Sequence, residues 1–194
     1  RLTELANHVD RTKEVMPRQL EEVTNLVLSG DVSDLSTADV FIITVPTPID
    51  LAKKPDLTSL EKASYTVGQA LIARLNKNSG TMPVVIYEST VYPGATEEVC
   101  IPVIEEASGF IRNQGFVYGY SPERINPGDS DHSLSNITKV TSGSTPESAE
   151  WIDHFYASII KAGTHATQNI KTAEPLNGIF YPSSLDLLED IVSA

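Results

Sequence analysis

One cysteine, Cys100, stands in 194 residues, so no internal disulfide can form and the chain suits a reducing, cytoplasmic setting. Basic residues are also scarce: 14 Lys and Arg face 26 Asp and Glu, for a net charge of −12. That balance argues against nucleic acid or an anionic membrane surface as a partner, since both need clustered cations. It still allows a small anionic ligand, because a phosphate needs only a few local donors and a helix start. No apolar run approaches the roughly 20 residues of a membrane span. There is no internal repeat or low-complexity linker, and His8, His132, His154 and His165 have no metal-ligand spacing. At 40% hydrophobic and 21% charged residues, the composition is that of a folded domain with a real core.

What is present is an alternation of strand and helix signals. Leu2 and Leu5 have helical spacing, and Pro17 to Val23 reads as a short helix with proline in its first turn. Asn25 to Ser29 is a brief strand candidate. Ala38 to Val45 is a continuous β-branched and apolar run, the pattern of a buried strand, stopped by Pro46 and Pro48. The spacing predicts a helix from Leu57 to Leu75 with Leu60, Ala63, Val67, Ala70, Leu71 and Leu75 on one side. Thr58 and Glu61 have capping-box spacing at its start. A strand over Pro83 to Tyr87 and a helix from Thr96 to Ala107 follow, the helix carrying Val99, Ile101, Val103 and Ile104 as core candidates before Ser108-Gly109 stops it. Strands over Phe116 to Tyr120 and Ile137 to Gly143, a helix from Thr145 to about Lys161, and a last strand over Thr164 to Asn169 complete the series. Such alternation implies βαβ crossovers and a Rossmann-like α/β fold, a mostly parallel sheet flanked by helices.

Two loops follow apolar strands and carry the chemistry. In Ser89-Thr90-Val91-Tyr92-Pro93-Gly94 the hydroxyls stand beside a tight turn and a helix start whose free N–H groups suit a phosphate, a ribose or a reacting oxygen. An ordinary strand-to-helix turn capped by Thr96 accounts for the same residues. In Glu123-Arg124-Ile125-Asn126 a carboxylate, a guanidinium and an amide can hold a sugar hydroxyl and a phosphate together. A solvated Glu123–Arg124 pair is the alternative. Cys100 lies between Val99 and Ile101 with Glu97, Glu98 and Glu105 close in sequence, a setting for a packed thiol rather than a nucleophile.

Taken together, Thr44-Val45-Pro46-Thr47-Pro48-Ile49-Asp50, the Tyr87–Glu98 segment, Gly119–Gly128, Lys139–Glu147 and Ala162–His165 are similar to the motifs of the UDP-glucose/GDP-mannose dehydrogenase family. Within it the chain most resembles the branch that oxidises UDP-N-acetylglucosamine at C6 in bacterial surface-polysaccharide synthesis. The resemblance implies an NAD-dependent oxidation of a UDP-sugar alcohol to the uronate in two steps, through a thiohemiacetal and thioester on a cysteine. It implies that Val45, Pro46, Thr47, Ser89 and Thr90 contact NAD and that Thr90 helps hold the catalytic water. It assigns Glu123 to thioester formation or hydrolysis, and Glu123, Arg124, Ile125 and Asn126 to the sugar nucleotide. Relatives acting on UDP-glucose carry a second Glu where this chain has Pro127, which favours an N-acetylhexosamine substrate over UDP-glucose. Full-length relatives are expected to be homodimers.

The same resemblance sets expectations for what the chain does not carry. The family's first βαβ unit, with its glycine-rich pyrophosphate turn, is expected to be lacking, so residues 1–174 read as a partial NAD-binding domain. Residues 175–194 read as a divergent tail without family counterpart: Asn177 stands at the family's Lys position, and Tyr181 at its Asn position. The expectation is therefore a fragment without turnover of its own, with a non-catalytic binding or assembly module as the alternative.

Overall fold

Val84–Tyr87 forms strand β2, and all four of its side chains are buried, which marks a central strand covered on both faces. The computed structural model describes residues 1–12, 15–49, 55–75, 80–122 and 138–178. Within them a five-stranded sheet runs in chain order: β1 (Val40–Ile43), β2, β3 (Val117–Tyr120), β4 (Lys139–Gly143) and β5 (Thr164–Ala166). β1, β2 and β3 are parallel, β4 is antiparallel to β3, and β5 is parallel to β4. The sheet is thus mostly parallel and Rossmann-like, as its alternating pattern implied. Among the described residues β1 is an edge strand.

Period-two alternation divides the core. Phe41, Ile43, Val85, Tyr87, Tyr118 and Tyr120 face one side, against α3 (Thr58–Leu75) and α4 (Ile101–Ser108). Val84 and Ile86 face the other side, where α5 (Pro146–Ala157) supplies Ile152 and Tyr156. The helix predicted as one piece from Thr96 opens as a π-helical segment, Thr96–Cys100, and continues as α4. Pro102 has no N–H to close an ordinary turn at this junction, and the Ile101 N–H reaches back to the Thr96 carbonyl instead. Gly109 ends α4 in the left-handed region at φ 71°, so the expected stop is a true C-cap. Two short helices, α1 (Leu2–Ala6) and α2 (Pro17–Glu22), precede the sheet.

Several local expectations are corrected. Asn25–Ser29 is not a strand: Leu26 and Val27 are exposed, and among the described residues no neighbouring strand takes up the backbone. Leu75 does not face the core of α3 and is 63% exposed. Arg74 turns inward in its place, because its Nε finds the Ala38 carbonyl at 2.8 Å and its guanidinium also meets Asp39 and Thr81. α3 opens with Asp56, not Thr58, as its side-chain acceptor: the Thr58 N–H donates to Asp56 at 2.9 Å. α5 ends at Ala157 rather than near Lys161, although Ile160 beyond it still packs on Tyr156 and Val84. The last strand stops at Ala166. Among the described residues no helix is long and apolar enough to cross a membrane.

Candidate functional site

The carboxyl ends of β1 and β2 place two polar loops side by side, where a parallel sheet opens to a ligand. The loops are fastened to each other. The Ser89 hydroxyl donates to the Val45 carbonyl at 2.6 Å, and the Thr47 hydroxyl donates to the Thr90 carbonyl at 2.6 Å. From β3, the Tyr120 hydroxyl donates to the Ser89 carbonyl at 3.1 Å. Val45, Thr47, Ser89 and Thr90, separated by more than forty positions in sequence, are thereby brought together. Ser89 is only 6% exposed, so its hydroxyl serves the loop rather than offering itself to a ligand. Thr90, Pro46 and Tyr92 are among the exposed members of this edge, with Thr44, Pro48 and Pro93.

The helix start behind the loop differs from the sequence expectation. Its first N–H groups do not await an anion, because the carboxylate of Glu174 occupies them. Gly94 N–H donates to one carboxylate oxygen, and Thr96 N–H donates to the other at 2.9 Å. Glu174 is fully buried and follows directly on the short helix α6 (Ile170–Ala173). Nor does Thr96 cap: its hydroxyl oxygen is buried without a hydrogen-bond partner among the described residues, and Ala95 precedes the first helical residue.

Four further side chains, Glu88, Lys139, Tyr156 and Ser121, stand at the same sheet edge. Glu88, at the end of β2, accepts the Tyr156 hydroxyl and lies 3.3 Å from Lys139 Nζ. The Lys139 ammonium also sits 5.1 Å from the centroid of the Tyr156 ring. Burial foremost, and the Glu88 charge second, push the Tyr156 phenol well up. Ser121, where the second loop begins, is fully buried and donates to the Val140 carbonyl at 2.7 Å. Glu123, Arg124, Ile125 and Asn126 lie outside the described residues, as does Pro127.

Cys100 is the packed thiol its sequence setting suggested. It is fully buried in the core between α3, β2 and α4. Burial, reinforced by the Glu174 and Glu61 charges, pushes its thiol up from 9.0 to about 12 against the opposing pull of Ser64. Because the neutral thiol is the folded form, its contribution to stability is complete below about pH 9 and is lost as pH rises toward about 12. Iodoacetamide labelling of folded chain at pH 8 should therefore be slower than of urea-unfolded chain by at least about a hundredfold. Equal rates, read by mass spectrometry, would contradict the buried assignment.

Sequence reasoning missed Glu174, Glu88, Lys139, Tyr120 and Tyr156 as builders of this edge. Glu88 was visible as a carboxylate at a strand end. Glu174 sends no local signal, since its partners lie 78 and 80 positions earlier. Among the described residues no group of His, Cys, Asp and Glu is placed to hold a metal ion.

Parallel strands with their loops tied at one carboxyl edge define a Rossmann-like α/β domain. The chain belongs to the UDP-glucose/GDP-mannose dehydrogenase family: residues 9–160 match the model of that family's NAD binding domain. It is 53% identical over 174 residues to UDP-N-acetyl-D-glucosamine 6-dehydrogenase of Pseudomonas aeruginosa, a match over 90% of this chain and 39% of that protein. It is 49% identical over 174 residues to the protein CapL of Staphylococcus aureus, with the same coverage of 90% and 39%. In structure it resembles the UDP-D-ManNAc dehydrogenase of Pyrococcus horikoshii, with a TM-score of 0.78 at 30% identity, over 91% of this chain and 40% of that one. The chain thus spans about 39% of the length of the curated relatives it matches.

Proposed function

We propose that this chain is the NAD-binding part of an NAD-dependent UDP-N-acetylhexosamine 6-dehydrogenase, which oxidises the sugar C6 alcohol to the uronate. The observation that carries the reading is the hydrogen-bonded meeting of Val45–Thr47 with Ser89–Thr90 at the carboxyl edge of β1 and β2. Half-buried Val45 and Thr47 beside exposed Pro46 and Thr90 suit a flat ring with a polar rim, so the residues present fit the nicotinamide end of the cofactor. NAD, when bound, supplies the hydride acceptor. This chain's own residues hold the loop against it. Thr47 fixes the Thr90 carbonyl and Tyr120 fixes that of Ser89, so the Thr90 side chain is presented from a backbone braced on two sides.

The sugar nucleotide falls to Glu123, Arg124, Ile125 and Asn126 in this reading, with Glu123 also acting in the chemistry and Thr90 helping to hold water. Pro127, where UDP-glucose enzymes carry a second carboxylate, supports the N-acetylhexosamine class. In this reading residues 1–174 belong to the NAD-binding part and 175–194 have no family counterpart, although Leu176 packs into the same core as Val91 and Ala95. Homodimerisation of the full-length enzyme belongs to the same proposal. Cys100, buried and neutral, is no candidate for the thioester-forming cysteine.

Calorimetric titration of NAD into the chain tests the reading. Weak but saturable binding is expected, and Thr47→Val should weaken it further, between about two- and tenfold, by freeing the Thr90 carbonyl. Thr66→Val, on the exposed side of α3, is the control and should bind as the parent does. Failure to bind NAD at millimolar concentration would overturn the reading in favour of a non-catalytic module.

A further inference from the structure

The Thr90 turn is held at two ends by different parts of the chain. At its start the Thr47 hydroxyl grips the Thr90 carbonyl. At its end the Glu174 carboxylate grips the N–H groups of Gly94 and Thr96. Between them Val91 and Ala95 are buried, so the turn cannot pivot about either end without withdrawing apolar side chains from the core.

The second grip is chemically demanding. A fully buried carboxylate persists only where strong donors surround it, and here they are two backbone N–H groups at the positive end of a helix. The approach is close on the outer side as well. Gly94 has φ +95°, and a Cβ there would come 2.7 Å from Glu98 Oε1 and 3.0 Å from Lys171 Cε. Lys171, one turn before Glu174 on α6, pairs with Glu98 at 2.9 Å and closes over the turn. Ile170, Ala173 and Leu176 anchor α6 and the residues after it in the same core as Val91 and Ala95. α6 and the turn therefore move as one body.

We propose that Glu174 is a positioning residue for the cofactor loop: its carboxylate sets the Pro93-Gly94 turn and, through it, where Thr90 stands. The proposal rests on the reading of Thr90 as part of the NAD site. It makes the segment around Glu174 a control point on cofactor affinity, although it touches no ligand. A displacement of α6 is transmitted to Thr90 through the two hydrogen bonds that the Gly94 and Thr96 N–H groups donate to the Glu174 carboxylate, not through a contact with the ligand.

The test uses Glu174→Gln and Glu174→Asp in the full chain, with Gln168→Ala, exposed just before α6, as the control. Amide hydrogen exchange is read at Gly94 and Thr96, and NAD affinity by calorimetry. In Glu174→Gln the volume is kept, but an amide NH2 replaces one acceptor oxygen. Exchange at the two amides should rise about ten- to hundredfold, and NAD affinity should fall about tenfold. Glu174→Asp keeps the charge on a shorter arm and should loosen only one of the two amides, with an intermediate loss of affinity. Ile160→Val, a core change in the opposite cluster, measures what lost stability alone does to NAD binding. Parental exchange at Gly94 and Thr96 in both Glu174 variants would overturn the proposal, as would an affinity loss no larger than that of Ile160→Val. If the parent chain binds no NAD while both amides loosen, the cofactor reading fails and the positioning of the turn by Glu174 stands.

Discussion

Replacing Lys139 with methionine should cost about 3–5 kcal/mol of folding stability. The lysine is buried, with a side chain 4% exposed, and its ammonium lies 3.3 Å from a Glu88 carboxylate that is itself only 13% exposed. Methionine keeps the apolar stem and the packing on Tyr156, so the substitution isolates the charge. What remains is a carboxylate in a low-dielectric setting with the Tyr156 hydroxyl as its side-chain donor. The cost is that of stranding Glu88 rather than the net worth of the pair, and this distinction can be measured. The triple change Lys139→Met, Glu88→Leu, Tyr156→Phe removes the ammonium, the carboxylate and the phenol together and should return most of the lost stability, since apolar replacements of a buried pair are often neutral. Urea midpoints at unchanged m read both results. A single variant within about 1 kcal/mol of the parent would show that the pair is solvated.

Gly119→Ala should be the next most damaging substitution, at about 3 kcal/mol, the upper end of ordinary overpacking. An added Cβ would lie 2.3 Å from the Ser142 carbonyl oxygen and 2.4 Å from Ile152 Cδ1. The isoleucine can rotate away. The carbonyl cannot, because Ser142 is paired across to Tyr120 and its hydroxyl donates to the Tyr120 carbonyl at 2.8 Å. β4 must therefore shift, and with it Lys139 at its start. Pairing Gly119→Ala with Ile152→Val should recover only part of the loss. Gly80→Ala, where an added Cβ meets nothing within 4 Å, should stay within about 0.5 kcal/mol of the parent. Thermal and urea unfolding of the three variants would decide the matter, and an intact Gly119→Ala would refute the close approach of β3 to β4.

Much of the fold was legible because it is written at short range. The continuous apolar run of β2, the 3.6-residue spacing of α3 and the glycine after α4 each report on neighbours within a few positions. The same local reading failed where the third dimension intervened. Arg74 displaced Leu75 from the inner face because a carbonyl, a carboxylate and a hydroxyl waited there, which helical spacing cannot register. Asn25–Ser29 had a strand's residues but, among the described residues, no neighbour to pair with.

At the site the division is sharper. The sequence by itself determined the family, the order of strands and loops, and the placing of Val45–Thr47 and Ser89–Thr90 at strand ends. Only the tertiary structure decided which of their polar groups face outward. It turned the Ser89 hydroxyl inward onto Val45, and it filled the helix start behind Thr90 with a carboxylate from 80 positions away. The physical reason is range. Periodicity is set by steric and solvent preferences along the chain, whereas a hydrogen bond belongs to whichever donor and acceptor the packed sheet brings within about 3 Å.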